Sequence, residues 1–300
     1  MRDFLPLPGN LCRLTEFTCL SGAYFGSSEP APPFIFAERV SLRKLILEGS
    51  RLSLDSINVQ DLEDIRLIQV YDERPKGTAF ISRCHSLTTL IITDSILFGP
   101  EQPPFTLPNL TYLDTRGFTM LEVAHTPRIQ TLILRLRGDE SVVRLPSLPA
   151  LTTLCVIHGD VISEAITILL ALNTGIRRLM LSECDGISDL LRLLKADSPG
   201  SAANTLGTVL LPSLGLLQVC GPPIPDADGF HALCARRPSL RIEYGHRFLS
   251  GYITADELKE IIEELRQNDE PGVFRLHGFE RRVAVREDDN AGRQTASADA

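Results

Sequence analysis

One pattern, L-x-x-L-x-L followed by a polar turn and a further apolar residue, recurs along this chain and limits what it can fold into. "PALTTLCVIHGD" (149–160) carries it as Leu151, Leu154 and Val156, with Val161 after the turn. "SLRKLILEGSRL" supplies Leu42, Leu45, Leu47 and Leu52, and "SLTTLIITDSIL" supplies Leu87, Leu90, Ile92 and Leu97. "NLTYLDTRGFTM" gives Leu110 and Leu113, with Thr115 in a weakened slot, and "RIQTLILRL" gives Ile129, Leu132 and Leu134. "GIRRLMLSECDGI" gives Ile176, Leu179, Leu181 and Ile187, with Cys184 at the turn position where Asn or Cys is usual. "SLGLLQVCGPPI" gives Leu214, Leu217, Val219 and Ile224, and weaker copies lie at Leu62-Ile65-Leu67 and Leu14-Phe17-Cys19.

Proline stands two residues before the first apolar slot at Pro108, Pro127, Pro149 and Pro212, and again at Pro238. Proline and its neighbour favour extended backbone, so each one ends the preceding segment and launches a strand. The central slots from Phe17 to Leu179 lie 19 to 28 residues apart. Unrelated buried strands would share the apolar alternation, but not this period together with a fixed proline offset. One such unit cannot bury its own apolar side, whereas stacked units can. The expected fold is therefore α/β: an irregular leucine-rich-repeat solenoid, or horseshoe. A curved parallel sheet would line its concave face, with a mixed helix and turn convex side.

The expected organisation has four parts. Residues 1–40 form a degenerate first repeat and N-terminal edge, interrupted by "SSEPAPP" (27–33). Residues 41–250 form the solenoid, with "ADSPGSAANTLG" (196–207) as a flexible insertion. Residues 251–285 hold a capping helix and extension, opened by the capping box Thr254/Glu257 and apolar at Leu258, Ile261, Ile262 and Leu265. Residues 286–300 have almost nothing to bury and read as a disordered tail.

Between strands, "DVISEAITILLALN" places Ile162, Ala165, Ile166, Leu169 and Leu170 on one helical face, with Asp160 as its cap. "SDLLRLLKAD" does the same with Leu190, Leu191 and Leu194. The returns after Leu113 and Leu132 read as turns or extended backbone. "DADGFHALCARRP" reads as a short helix with Phe230, Leu233 and Cys234 inward, followed by a last strand in "SLRIEY".

The chemistry-bearing motifs are sparse. The sequence has no GxSxG, P-loop, HExxH or GxGxxG. "DAD" (226–228) lacks the remaining ligands of a calcium loop and reads as a helix cap. Cys84-His85 has no partner pattern, and His158 and Asp160 flank a strand-end turn. The Arg-Arg pairs at 177–178, 236–237 and 281–282 read as solvated surface. No catalytic residue, metal or cofactor is expected. The seven cysteines are scattered with no CxxC, as buried free thiols in a reducing cytoplasmic or nuclear compartment would be. A net charge of −8 argues against nucleic acid and anionic membrane as partners, and no apolar run reaches eighteen residues. "NLT" (109–111) fits a glycosylation sequon, but Leu110 falls in a buried slot.

What remains is the face between the buried slots. Its middle column reads Thr18, Ile46, Arg66, Ile91, Asp114, Ile133, Cys155, Met180 and Gln218. The candidate partner-binding residues are Ile46, Ile91, Tyr112, Asp114, Arg116, Ile133, Arg135, Cys155, Ile157, Arg178 and Met180. An exposed apolar stripe with polar flanks would mark a protein-binding surface. Two other readings stand beside it: a stripe covered by the chain's own C-terminal segment, and an enzyme whose site is assembled from loops.

The irregular units, the "LPxLxxL" openings and the ending "LCARRPSLRIEYG" resemble, over roughly residues 10–245, the C-terminal part of the fungal F-box/leucine-rich-repeat family. The resemblance implies a substrate-recognition subunit, in which an N-terminal F-box module docks on the adaptor of a cullin-type ubiquitin ligase and the repeats hold a protein substrate. The first forty residues show no F-box-like run, so the adaptor is expected only if such a module lies upstream. A stand-alone repeat protein is the alternative.

Overall fold

The computed structural model describes residues 5–6, 15–20, 34–35, 40–48, 57–68, 70, 76–93, 103–136, 145–195, 210–221, 232–233 and 236–245. The repeated pattern becomes ten five-residue strands: β1 (Glu16–Leu20), β2 (Lys44–Glu48), β3 (Asp64–Ile68), β4 (Thr89–Thr93), β5 (Tyr112–Arg116), β6 (Thr131–Arg135), β7 (Thr153–Ile157), β8 (Arg178–Ser182), β9 (Leu216–Cys220) and β10 (Arg241–Gly245). They form one sheet whose spatial order is the chain order, and every pairing is parallel. The two end strands do not pair with each other, so the sheet is open. The fold is α/β, and Glu16–Leu20 joins the sheet as its first strand.

The register puts like slots side by side. Phe17 lies opposite Leu45, Leu45 opposite Ile65, and Ile65 opposite Leu90. The column continues through Leu113, Leu132, Leu154, Leu179, Leu217 and Ile242 without a slip. From Leu45 to Leu217 every member is completely buried. A one-residue slip would turn a whole strand's apolar set to the other face, so this burial fixes the register.

Proline's role is more specific than ending one segment and starting another. The N–H of Leu62, Leu87, Leu110, Ile129, Leu151, Ile176, Leu214 and Leu240 donates to the carbonyl three residues earlier, at 2.9–3.4 Å. Each of these eight first slots therefore closes a four-residue turn. Pro108, Pro127, Pro149, Pro212 and Pro238 occupy the second position of theirs, where a fixed φ is preset and no N–H is needed.

Just beyond each turn, one carbonyl accepts two consecutive N–H groups from the next unit. Thr15 accepts from Arg43 and Lys44, Arg43 from Glu63 and Asp64, and Glu63 from Thr88 and Thr89. The same double acceptance recurs at Thr88, Thr111, Gln130, Thr152 and Arg177, at 2.7–3.1 Å throughout. Where the entering residue is threonine its hydroxyl joins in: Thr88 donates to Glu63 O at 3.0 Å, Thr111 to Thr88 O and Thr152 to Gln130 O, both at 3.2 Å.

Four helices accompany the sheet among the described residues: α1 (Lys76–Ile81), α2 (Thr119–Val123), α3 (Glu164–Leu172) and α4 (Ile187–Lys195). Their apolar residues join the strand slots in one core, with Phe80, Met120, Leu121, Ile166, Leu169, Leu191 and Leu194 buried there. α4 is as the spacing predicts, with Leu190, Leu191 and Leu194 inward. α3 starts later than expected. Asp160 accepts the Ile162 N–H at 3.0 Å and tightens the turn instead of capping the helix, Ser163 is the N-cap residue, and Ile162 is exposed.

The return after β5 is not purely turn, because it contains α2. Gly117, at φ 65°, reverses the chain, and buried Phe118, Met120 and Leu121 supply enough packing for a short helix without favourable caps. Leu233 is buried and lies in a helical turn, and "SLRIEY" ends in β10 as expected. The insertion 196–207, Phe230, Cys234, the "DAD" stretch, the capping helix within 251–285 and the tail 286–300 lie outside the described residues.

The turn cysteine does what its position predicts. Cys184 is buried, with Sγ 3.3 Å from Ser182 O and 3.4 Å from Val156 O, so its S–H reaches carbonyls of adjacent strands. Burial pushes the Cys184 and Cys84 thiols up to about 12. Cys84, Cys155, Cys184 and Cys220 are all free and buried.

Leu154→Ala should cost about 2–5 kcal/mol, the loss for a buried leucine in a tight core. Pro149→Ala, at an exposed turn position, should cost about 0.4–1 kcal/mol through the unfolded chain; urea titration of both variants measures the contrast. The raised thiols give a second test. Their protonated form is favoured on folding, so that stability is complete below about pH 9 and is lost as pH rises toward about 12. In that window Cys184→Ala should make stability fall less steeply, by about 1.4 kcal/mol per pH unit, in urea titrations at pH 9 and 10.5.

Candidate functional face

Side chains alternate along a strand, so residues between the core slots stand on the sheet's second face. The register assembles them as expected, with Thr18, Ile46, Arg66, Ile91, Asp114, Ile133, Cys155, Met180 and Gln218 in one unbroken column, and Glu243 extends it by one strand. Tyr112 and Arg178 lie in the column toward the strand starts, and Arg116, Arg135 and Ile157 in the one toward the ends. All eleven sequence-derived candidates therefore share one face.

Their exposure differs from the expectation. Ile133 and Asp114 are 0 % exposed, Ile91 and Cys155 1 %, and Met180 2 %; Tyr112 and Ile157 are buried too. The apolar residues Ile91, Ile133, Cys155, Ile157, Met180, Leu216 and Cys220 are buried, yet they stand apart from the core formed by the strand slots and helices. The stripe is thus covered, not open. Ile46 and Arg178 are half-buried, and Arg116 is exposed. β7 (TLCVI) and β9 (LLQVC) are buried at every position, the signature of a parallel strand covered on both sides.

The polar members of the face are paired across strands. Both oxygens of Asp114 accept from Arg135, Nε to Oδ1 and Nη2 to Oδ2, each at 2.8 Å. This fork is the strong form of a carboxylate–guanidinium contact. Burial works against the charge of Arg135, but the hydrogen bond and charge of Asp114 outweigh it and raise its pKa. Asp114 and Arg135 thus act first as a brace between β5 and β6. Arg66 pairs with Asp64 within β3 at 3.1 Å, and Arg241 with Glu243 within β10. Burial, then the neighbouring Asp114 carboxylate, raises the Tyr112 phenol.

The Gln218 amide is buried with neither its nitrogen nor its oxygen hydrogen-bonded, and the Tyr112 hydroxyl is buried without a partner. Each such group costs about 1–3 kcal/mol if left unsatisfied. Sequence reasoning placed Gln218 in the column but gave it no role. An amide amid Met180, Val219 and Cys220 is the signal that was available. The Asp114–Arg135 brace was also legible, as opposite charges one pleat apart on consecutive units.

The Arg281-Arg282 pair lies outside the described residues. His158 (φ 60°) and Gly159 (φ 93°) form the turn after β7, and His158 Nδ1 lies 3.1 Å from Glu183 Oε2 in an exposed pair. A Cβ on Gly159 would meet Leu136 Cβ at 2.8 Å, so both backbone and space call for glycine there. Arg236 and Arg237 are not simply solvated: Arg236 donates to Lys195 O at 2.7 Å, and Arg237 to Leu211 O at 3.0 Å and Leu210 O at 2.9 Å. Leu110 is fully buried, and Asn109 Nδ2 donates to His85 O at 2.9 Å. Among the described residues no three His, Cys, Asp or Glu side chains gather as a metal site, and no helix is long and apolar enough to cross a membrane. No family model matches the chain, and neither a curated protein nor a solved structure does.

Gln218→Met removes an unpaired amide while keeping its volume, and should stabilise the isolated chain by about 1–2 kcal/mol. Tyr112→Phe should be neutral or stabilising. Denaturant titration of both checks this, and a loss of stability in either would mean that the group has a partner.

Proposed function

We propose that the chain is a non-enzymatic protein-interaction scaffold, built as an irregular leucine-rich-repeat solenoid whose second face is the concave, partner-holding side. The observation that carries this reading is the in-register column from Ile46 to Gln218, apolar along most of its length and ending in an amide with no hydrogen-bond partner. Seven strand steps at ~4.8 Å make that column roughly 34 Å long, sized for a protein segment and far larger than a metabolite needs. Apolar contact and shape give affinity there, while Arg116 and Arg178 at the rim select by charge. On the strength of the family resemblance, the partner is a substrate of a cullin-type ubiquitin ligase, and the setting is the cytoplasm or nucleus.

A second reading is a stand-alone structural repeat protein whose face is filled by its own chain. The near-complete burial of Ile91, Ile133, Cys155 and Met180 favours it for the isolated protein. The two are compatible if the cover yields to a partner.

The test is a quantitative pull-down with the intact gene product, wild type against Arg116→Glu, an exposed position where reversal spares the core. The expected result is a partner retained by the wild type and weakened about ten-fold by the reversal, with an unchanged unfolding midpoint. A ligase adaptor among the retained proteins would support the ubiquitin setting. Retention of no protein, or retention indifferent to Arg116→Glu, would sink the scaffold reading.

A further inference from the structure

We infer that Arg236 and Arg237 form a latch at the C-terminal end of the sheet. They hold a strained turn at Leu211-Pro212 against the unit that carries β10, and so set how readily β9 and β10 open. The inference does not depend on what the chain binds.

Side chains tie consecutive turns together along much of the chain. Ser86 Oγ donates to Gln60 O at 2.6 Å, Asn109 Nδ2 to His85 O at 2.9 Å and Arg128 Nη1 to Asn109 Oδ1 at 3.3 Å. Asn173 Oδ1 accepts the Leu148 N–H at 2.6 Å. Each of these ties is a single hydrogen bond. Arg237, which opens the turn that launches β10, makes a fork instead: Nη1 donates to Leu211 O at 3.0 Å and Nη2 to Leu210 O at 2.9 Å. Its own backbone is held on both sides, its N–H donating to Leu233 O and its carbonyl accepting from the Leu240 N–H, each at 2.9 Å. Arg236 donates to Lys195 O at 2.7 Å, which puts a cation at the C-terminus of α4, where the helix dipole favours it. Two neighbouring arginines thus grip the chain on both sides of the connection from Lys195 to Leu210. Hydrogen bonds from a charged donor are roughly twice as strong as neutral ones.

The fork falls where the backbone needs it. Among the described residues three other than glycine have positive φ: His158, Glu183 and Leu211. The first two are polar and exposed, whereas Leu211, at φ 49°, is apolar and fully buried. In that conformation its Cβ crowds the following carbonyl, and Pro212 beside it favours extended backbone at 211. Leu211 is held there by a carbonyl that accepts from both Leu214 and Arg237, and by the burial of its side chain with that of Leu210 in the core. Strain of this kind persists only where the surroundings over-determine it. Without the fork, residue 211 relaxes toward the geometry Pro212 favours, drawing Leu210 and Leu211 from the core and loosening the turn from which β9 starts.

Hydrogen–deuterium exchange of the full chain under native conditions, read by mass spectrometry, tests the latch, because exchange follows the population of locally open states. Arg237→Gln should speed exchange at 216–220 and 241–245 about ten-fold, with 112–116 and 131–135 unchanged. Arg236→Gln, at an exposed position, should shift the same two segments by a smaller factor. Pro212→Ala lifts the restriction on Leu211, so in that background the effect of Arg237→Gln should shrink to about three-fold or less. Unchanged exchange at 241–245 in Arg237→Gln would overturn the inference. So would an equal rise throughout the sheet, because Arg237 would then support the whole fold instead of latching one end. An undiminished effect in the Pro212→Ala background would remove strain from the account and overturn the inference in that form.

Discussion

A unit of some twenty residues with one apolar side has no interior of its own, and everything in this structure follows from that deficit. Each strand gains a dry side only when the next lies beside it in register. The column from Leu45 to Leu217 is where that requirement is met. The backbone reinforces it, because one carbonyl at each strand entrance accepts two N–H groups from the following unit, from Thr15 through Arg177. Apolar burial supplies the driving force, and the doubled hydrogen bond fixes which residue faces which. Either alone would leave register open: a flat apolar face tolerates slips, and a lone hydrogen bond contributes only about 0.5–1.5 kcal/mol.

The second face obeys a different logic. From Ile91 to Met180 its apolar members are nearly as dry as those of the core, whereas Ile46 is half-buried, and its polar members are unevenly served. Asp114 is gripped by Arg135 on the next strand, and removing either would strand a buried charge. Gln218, three strands further along, has nothing. A buried amide left without a partner is a net cost that the rest of the face must offset.

Much of the architecture was legible in the sequence because leucine spacing and sheet pairing express the same physics. The central slots, the two longer helices' inward residues apart from Ile162, the turn role of Cys184 and the shared face of the eleven candidates could all be read from periodicity. α2 was missed because five residues are too few to show a helical period, and packing of Met120 and Leu121 overrides weak local signals. Asp160 was misread because an aspartate before an apolar run fits a helix cap and a turn equally well. The exposure of the stripe was misjudged for a deeper reason. Alternation tells which way a side chain points, but not what lies above it.

The proline-marked turn before each strand has a consequence for how such a chain tolerates change. It restarts the count at every unit, so whatever happens in the preceding return is forgotten by the time the first apolar slot is reached. Loops here already differ in length by several residues, with no cost to the alignment of the sheet. Insertions and deletions between strands should therefore accumulate freely over evolutionary time, while the turn and strand positions stay put.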